Sequence, residues 1–208
     1  IGEVLSKRWV DNAIPFFTLI LVALGLLFTI DGFFSLYSIT DYSRQFAELG
    51  LIVLAMTIVM IAGGIDLSVG SIFAVSNLVA LYCIHVIDMN PFVAFIVTCS
   101  AGVMCGSLNG FFIGYMKMRA FLTTLVSLII YRSVVDLLLL EFALDITSVF
   151  PNSELWYQIG DGTLLEIPYV IMVTALIFFL GHLIISRMKP GWHLTAVGGA
   201  RRSAFNAG

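Results

Sequence analysis

The stretch AGGIDLSVGS, residues 62–71, lies between two long apolar runs and interrupts what otherwise reads as one continuous membrane-spanning helix. Gly63 and Gly64 allow backbone conformations that a Cβ would resist, and Asp66 or Ser68 can cap a following helix. A helix breaks at membrane depth only where protein or water satisfies the freed backbone groups. We therefore predict a discontinuous helix near residues 62–71, placed either along a transport path or in a tight loop at the cytoplasmic surface.

The composition excludes a soluble domain. Hydrophobic residues make up 60% of the 208 residues and charged residues 11%, and the mean hydropathy is +1.06. A soluble surface alone needs about a quarter charged residues, so the chain is predicted to be an integral membrane protein with no nucleic-acid partner. The three cysteines lie in apolar runs without CxxC spacing, which indicates packed, inert thiols.

Six apolar segments approach the length of about 20 residues that a membrane-spanning helix needs. They are residues 14–30, 47–63, 68–87, 92–116, 120–140 and 167–187. Only the break separates the second from the third, so either can be a half-helix. We expect a tight turn at residues 88–91 and an extramembrane loop with one short helix at residues 145–166. The predicted fold is an all-α polytopic bundle of about six spans, a single transmembrane domain over residues 1–208.

The basic residues predict the orientation, because lysine and arginine collect on cytoplasmic loops. With the N-terminus inside, Arg44 alone lies outside and Arg132 lies within a span. The other eight basic residues are then cytoplasmic, namely Lys7, Arg8, Lys117, Arg119, Arg187, Lys189, Arg201 and Arg202. We therefore predict a multi-pass protein with a cytoplasmic N-terminus.

Polar and small residues within the spans are candidates for packing or for a solute path. Gly102, Gly106, Gly110 and Gly114 form a stripe that favours close helix packing. Asn109 beside them needs hydrogen-bond partners, either from other helices or from a polar solute. On the fifth span, Arg132 and Asp136 are four residues apart and can neutralise each other, although ionisable groups within a membrane are functional candidates.

The last 18 residues, GWHLTAVGGARRSAFNAG at 191–208, follow a Lys-Pro that ends the sixth span. A short helix rich in small residues, with Arg201 and Arg202 exposed, has the shape to dock in a groove of another protein. A basic segment beside the membrane that binds anionic lipid is the other interpretation.

Together, GGIDLSVGS at 63–71, GSLNGFFIGYMK at 106–117, FLTTL at 121–125 with Arg132 after it, and AVGGARRSA at 196–204 resemble the permease subunits of bacterial ATP-binding-cassette importers for sugars such as ribose, xylose and galactose. The resemblance implies a permease in the bacterial cytoplasmic (inner) membrane that works by alternating access. Its implied partners are a second permease subunit, two ATP-binding subunits, a periplasmic substrate-binding protein and membrane lipid. It also implies that the chain is incomplete at its C-terminus.

The resemblance also implies roles for individual residues. Residues 188–208 match the cytoplasmic coupling segment that docks on the ATPase, with candidates Gly191, Ala196, Gly198, Gly199, Arg201, Arg202, Ala204 and Gly208. Candidates for the translocation path or the helix break are Gly63, Gly64, Asp66, Ser68, Asn109, Thr123, Thr124 and Arg132. No catalytic residue, metal site or cofactor is expected in this chain, because ATP and Mg²⁺ belong to the partner ATPase.

Two other functions remain open at this stage. An ion-coupled secondary transporter or a channel for a small polar solute also uses broken helices. A membrane enzyme would need clustered catalytic or ligating groups, whereas His85, His182 and His193 are spread along the chain with no ligand spacing. The chain is therefore predicted not to be an enzyme.

Overall fold

A computed structural model describes residues 8–148, 151 and 153–206, and for residues 8–12 and 202 it describes the backbone only. The chain divides into two compact units, Ile1–Phe46 and Ala47–Gly208. In the first unit, helix α1 (Arg8–Thr29) is followed by a turn. Helix α2 (Leu36–Ile61) begins after this turn, where the Ser35 hydroxyl accepts from the backbone N–H of Ser38 at 3.2 Å.

The second unit holds the rest of α2 and all later elements. These are α3 (Val69–Leu81), which continues into a π-helical turn (Tyr82–Val86), α4 (Pro91–Gly114), α5 (Ala120–Ser148), α6 (Glu154–Asp161), strands β1 (Thr163–Leu164) and β2 (Ile167–Pro168), α7 (Tyr169–Arg187), α8 (Lys189–Gly199) and α9 (Arg201–Asn206). Helix α3 packs against both α4 and α5. Leu78 of α3 meets Val135 and Phe142 of α5 in one apolar cluster, so these three helices form the centre of this unit.

Each of the six predicted segments lies largely in a helix, and the helical membrane fold is confirmed. Within the described residues, four helical segments are long and apolar enough to cross a membrane: Leu36–Ile61, Val69–Val86, Pro91–Gly114 and Tyr169–Arg187. The first predicted segment is a shorter apolar helix, Ala13–Thr29, and the fifth lies within α5. The predicted break lies between Leu36–Ile61 and Val69–Val86, and both of these helical segments are long enough to cross a membrane, so neither has to be a half-helix.

The predicted turn at residues 88–91 is confirmed. Asp88 takes a positive φ of 52°, and the Asn90 side chain accepts from the backbone N–H of Phe92 at 3.0 Å. Pro91 occupies the first turn of α4, where its missing N–H costs nothing. Asn90 therefore caps α4.

The predicted loop at residues 145–166 is shorter than expected, since α5 extends to Ser148. The expected short helix is α6, and the Ser153 side chain accepts from the backbone N–H of Trp156 at its start. The two-residue strands β1 and β2 pair antiparallel after it and were not predicted. Residues 149, 150 and 152 of this loop lie outside the described residues.

Two packing expectations are met only in part. A Cβ at Gly102 would meet the Ser76 hydroxyl at 3.2 Å, whereas Cβ atoms at Gly106, Gly110 and Gly114 would have no neighbour within 4 Å in the described structure. The stripe therefore packs closely on α3 at one position only. Of the thiols, Cys83 is buried and Cys105 partly so, but Cys99 is exposed, because it lies on an uncovered face of α4.

Candidate functional site

The helix break begins with a glycine-capped end of α2. The N–H of Gly64 donates to the carbonyl of Val59 at 3.0 Å, and the N–H of Gly63 donates to that of Met60 at 2.9 Å. Gly63 has a φ of +79°, the left-handed conformation that such a cap requires and that glycine adopts without strain. The predicted break is therefore an ordered helix end.

Asp66 shapes the start of the next helix. Its Oδ1 atom accepts from the backbone N–H of Ser68 at 2.8 Å and from the Ser68 hydroxyl at 2.6 Å. Ser68 is the N-cap of α3, but its side chain makes no cap hydrogen bond. The expected caps are thus only partly correct, because Asp66 holds the N-cap residue and not the N–H groups of the first helical turn.

Four side chains, Asp66, Ser68, Asn109 and Ser127, form what we call the polar cluster. The Asn109 amide donates to the Ser68 hydroxyl at 2.8 Å and accepts from the Ser127 hydroxyl at 2.5 Å. Ser68, Asn109 and Ser127 are buried, at 0%, 4% and 8% exposure. A continuous chain of donors therefore runs from Ser127 through Asn109 and Ser68 to the Asp66 carboxylate, and it joins α5, α4 and the break.

The polar cluster lies near one end of the helix bundle. Asn109 precedes the end of α4 by five residues and Ser127 follows the start of α5 by seven. At 1.5 Å per residue these positions are about 8 Å and about 10 Å from the helix ends. The link between α4 and α5 carries Lys117 and Arg119. Asp66 and Ser68 therefore belong to the basic end of the bundle.

The remaining path candidates lie in different surroundings. Thr124 is buried, and its hydroxyl donates to the carbonyl of Ala120 at 2.9 Å, with the carbonyl of Ile65 in the break 3.4 Å away. The Thr123 hydroxyl donates locally, to the carbonyl of Arg119 just before α5, at 3.1 Å. Arg132 pairs with Asp136 at 3.2 Å, as its spacing predicted, and the two side chains are 63% and 56% exposed. The structure therefore does not bring Arg132 to the polar cluster.

Two glycines allow helix α8 to pack closely against the same end of the bundle. A Cβ at Gly191 would lie 2.1 Å from the carbonyl oxygen of Ile185, at the end of α7. A Cβ at Gly198 would lie 1.9 Å from the carbonyl oxygen of Ile61, and one at Gly63 would lie 3.4 Å from Cα of Gly198. The predicted coupling segment thus contacts the helix break directly, backbone against backbone.

An open groove of about 610 Å³ lies along α8 and α9. It is lined by Lys189, Trp192, His193, Ala196, Val197, Arg201, Ala204 and Phe205. Three coupling candidates, Ala196, Arg201 and Ala204, are therefore on this surface. Gly199 faces open space, while the Arg202 side chain and Gly208 lie outside the described residues.

Several residues of these sites were not among the predictions. Ser127 follows Thr123 by one helical turn, and this i, i+4 spacing of polar side chains could have identified it. Trp192 and Phe205 are the large exposed aromatic side chains of the groove, at 60% and 86% exposure. Exposed aromatics in a short basic helix were the available signal. Among the described residues, no group of three or more His, Cys, Asp or Glu side chains could hold a metal ion.

These features define a polytopic α-helical membrane protein with an ordered helix break and an extra helical segment seated against it. The chain belongs to the family described as branched-chain amino acid transport system / permease component, whose model matches residues 38–208. The chain is therefore a member of a family of membrane permeases, and its apolar helices make it a multi-pass membrane protein.

The resemblance to permeases of sugar importers is confirmed by individual relatives. The chain is 30% identical over 182 residues to the ribose import permease protein RbsC of Haemophilus influenzae, which covers 87% of this chain and 55% of that protein. It is 30% identical over 165 residues to the xylose transport system permease protein XylH of Escherichia coli, covering 78% and 41%. The chain thus spans roughly half the length of these curated relatives. No solved structure was found to match it.

Proposed function

We propose that this chain is part of the permease subunit of an ATP-driven, binding-protein-dependent importer for a sugar, in the bacterial inner membrane. The observation that carries the proposal is the close packing of α8, which α9 follows, on the basic end of the bundle. Gly191 and Gly198 hold this segment against α7 and the break, and its exposed groove offers aromatic and basic side chains. Such a surface suits a partner with apolar and acidic side chains.

The proposed assembly contains a second permease subunit, identical or homologous, two ATP-binding subunits and a periplasmic substrate-binding protein. ATP and Mg²⁺ would bind to the ATPase subunits, and lipid would surround the spans. The end of the bundle that carries α8, together with the chain leading into it, is basic. It holds Lys117, Arg119, Arg187, Lys189 and Arg201. Because basic residues collect on cytoplasmic loops, we propose that this end of the bundle is cytoplasmic. An even number of crossings, as the six predicted spans give, would make the N-terminus cytoplasmic as well.

We propose the following import cycle. A binding protein delivers a sugar to the outer face, and nucleotide-driven movement of the ATPases displaces α8 and α9. The helices then alternate between outward and inward access. The side chains of the polar cluster hydrogen-bond to one another, which favours a structural role for Asn109 and Ser68. The Arg132–Asp136 pair is exposed, and charged groups are costly in lipid, so we expect that face of α5 to contact a polar neighbour.

Co-purification and transport assays test the proposal. The full-length permease, extracted in mild detergent, should retain its ATPase subunits. In proteoliposomes with the binding protein, uptake of radiolabelled ribose or xylose should require ATP on the side of the membrane that the ATPase subunits face. Uptake driven by an ion gradient in liposomes that contain the permease alone would contradict the proposal and favour a secondary transporter.

Truncating the aromatic side chains of the groove tests its role in docking. We expect Trp192→Ala combined with Phe205→Ala to weaken ATPase association by about tenfold or more, because buried aromatic anchors dominate interface energies. Ser203→Ala, an exposed neighbour that does not line the groove, is the matched control. The measurement is the amount of ATPase retained during detergent purification as salt rises, and equal retention by both variants would exclude the groove as the docking surface.

A further inference from the structure

We propose that the helix break is the mechanical link that transmits movement of α8 to α4 and α5. The inference rests on the proposed function in one respect, that α8 moves when a partner ATPase moves. The link itself follows from contacts within the chain, which join α8 to the break and the break to the two helices.

The first contact of the link lies between α8 and the break. A Cβ at Gly198 would meet Ile61 O at 1.9 Å and the carbonyl carbons of Ile61 and Ala62 at 3.0 and 3.1 Å. Two backbones this close leave no side chain between them to absorb a displacement. Movement of the C-terminal end of α8 toward the bundle therefore displaces residues 61–63.

The break is rigid enough to carry that displacement. Its first part is fixed by the Gly63 and Gly64 hydrogen bonds to the last turn of α2, and its second part by the two bonds from Ser68 to Asp66. The Ile65 carbonyl between them lies 3.4 Å from the buried Thr124 hydroxyl of α5. The segment thus has few freely rotating positions in which a shift could be lost.

The polar cluster forms the last part of the link. Ser68 and Asn109 each donate one hydrogen bond and accept another, so the chain from Ser127 to Asp66 has no interruption. These bonds are 2.5–2.8 Å long and their serine and asparagine members are buried, so water is not at hand to replace a broken one. A shift of the break therefore draws α4 and α5 with it or breaks the chain of bonds.

Hydrogen–deuterium exchange on the full-length permease in detergent or nanodiscs tests the link without ATPase or solute. Ser127→Ala removes the donor at the far end of the chain with little change in volume, and Ser133→Ala on the exposed face of the same helix is the control. We expect Ser127→Ala to raise exchange in residues 62–68 and 189–199 by about three- to thirtyfold, and Ser133→Ala to leave it unchanged. Increased exchange confined to α4 and α5 would overturn the proposal.

A transport readout distinguishes failure of the link from failure of the proposed function. In the reconstituted importer, Ser127→Ala should lower the number of radiolabelled ribose or xylose molecules moved per ATP hydrolysed. A simple folding defect would lower the rate of sugar uptake and the rate of ATP hydrolysis together, and their ratio would not change. An unchanged ratio in Ser127→Ala contradicts the inference. A wild-type importer without ATP-dependent uptake contradicts the proposed function, and the exchange result then decides the link alone.

Discussion

Replacing Gly198 with alanine is expected to displace α8 from the helix break and to lower the stability of the permease. The added Cβ would lie 1.9 Å from the carbonyl oxygen of Ile61, and ordinary van der Waals contact begins at 3.4 Å. One of the two backbones must therefore retreat by about 1.5 Å. Forcing extra volume into a packed contact costs about 1–3 kcal/mol and sometimes more. The measurement is the midpoint of thermal unfolding in detergent.

Gly199→Ala is the matched control, since its Cβ would have nothing within 4 Å. Alanine favours helix over glycine by up to about 1 kcal/mol, so this variant should unfold at the wild-type midpoint or slightly above it. Limited proteolysis between α7 and α8 gives a second measurement, because a displaced α8 should expose residues 188–191. Equal unfolding midpoints for the two variants would show that α8 does not rest on the break.

The end of α2 could be predicted from sequence because its causes are local. Two successive glycines after a long apolar helix match a glycine-capped helix end, and Gly63 supplies the required positive φ. The same holds for Asn90 and Pro91 at the start of α4, where cap and first-turn residues are adjacent in the chain. Composition and span length likewise predicted the helical membrane fold.

The contacts that assemble the site are not local, and periodicity carries no information about them. Asn109 and Ser68 are 41 residues apart in the chain. Gly198 contacts the backbone carbonyl of Ile61, and because every residue has such a carbonyl, the residue type at position 61 does not predict the contact. The amide of Asn109 predicted that some partner exists, but which helices provide it depends on how the bundle packs. The hairpin after α6 was missed for another reason, since strands of two residues are too short to show alternation.

The structure gives Asp66 a defined set of neighbours, which the sequence could not. From sequence, Asp66 was equally compatible with a solute path inside the membrane and with a loop at its surface. The contact of Gly63 with Gly198 places the break beside α8, and Asn109 and Ser127 lie within about two turns of helix ends. The Asp66 carboxylate accepts the two hydrogen bonds that order the chain just before α3. Its part in a solute path stays a prediction.

Replacing Asn109 with leucine is expected to destabilise the bundle at this end. The substitution keeps a side chain of similar size but removes both hydrogen bonds of the amide, to Ser68 and from Ser127. Hydrogen bonds between membrane helices contribute about 0.6 kcal/mol on average and up to about 1.7 kcal/mol each, so the expected loss is about 1–3 kcal/mol. Unfolding in detergent, followed by helical circular dichroism or by intrinsic fluorescence, measures it. Ser107→Ala, at an exposed position of the same helix, is the control.

A double-mutant cycle separates the hydrogen bond from the change in packing. Ser127→Ala should cost less in the Asn109→Leu background than in the wild type, because its acceptor is already absent and the serine hydroxyl can bond back to a carbonyl of its own helix. The expected coupling free energy is about 0.6–1.7 kcal/mol. A coupling free energy near zero means that each substitution costs the same in both backgrounds. Asn109 would then contribute only its volume, and the chain of hydrogen bonds from α5 to the break would have no measurable strength.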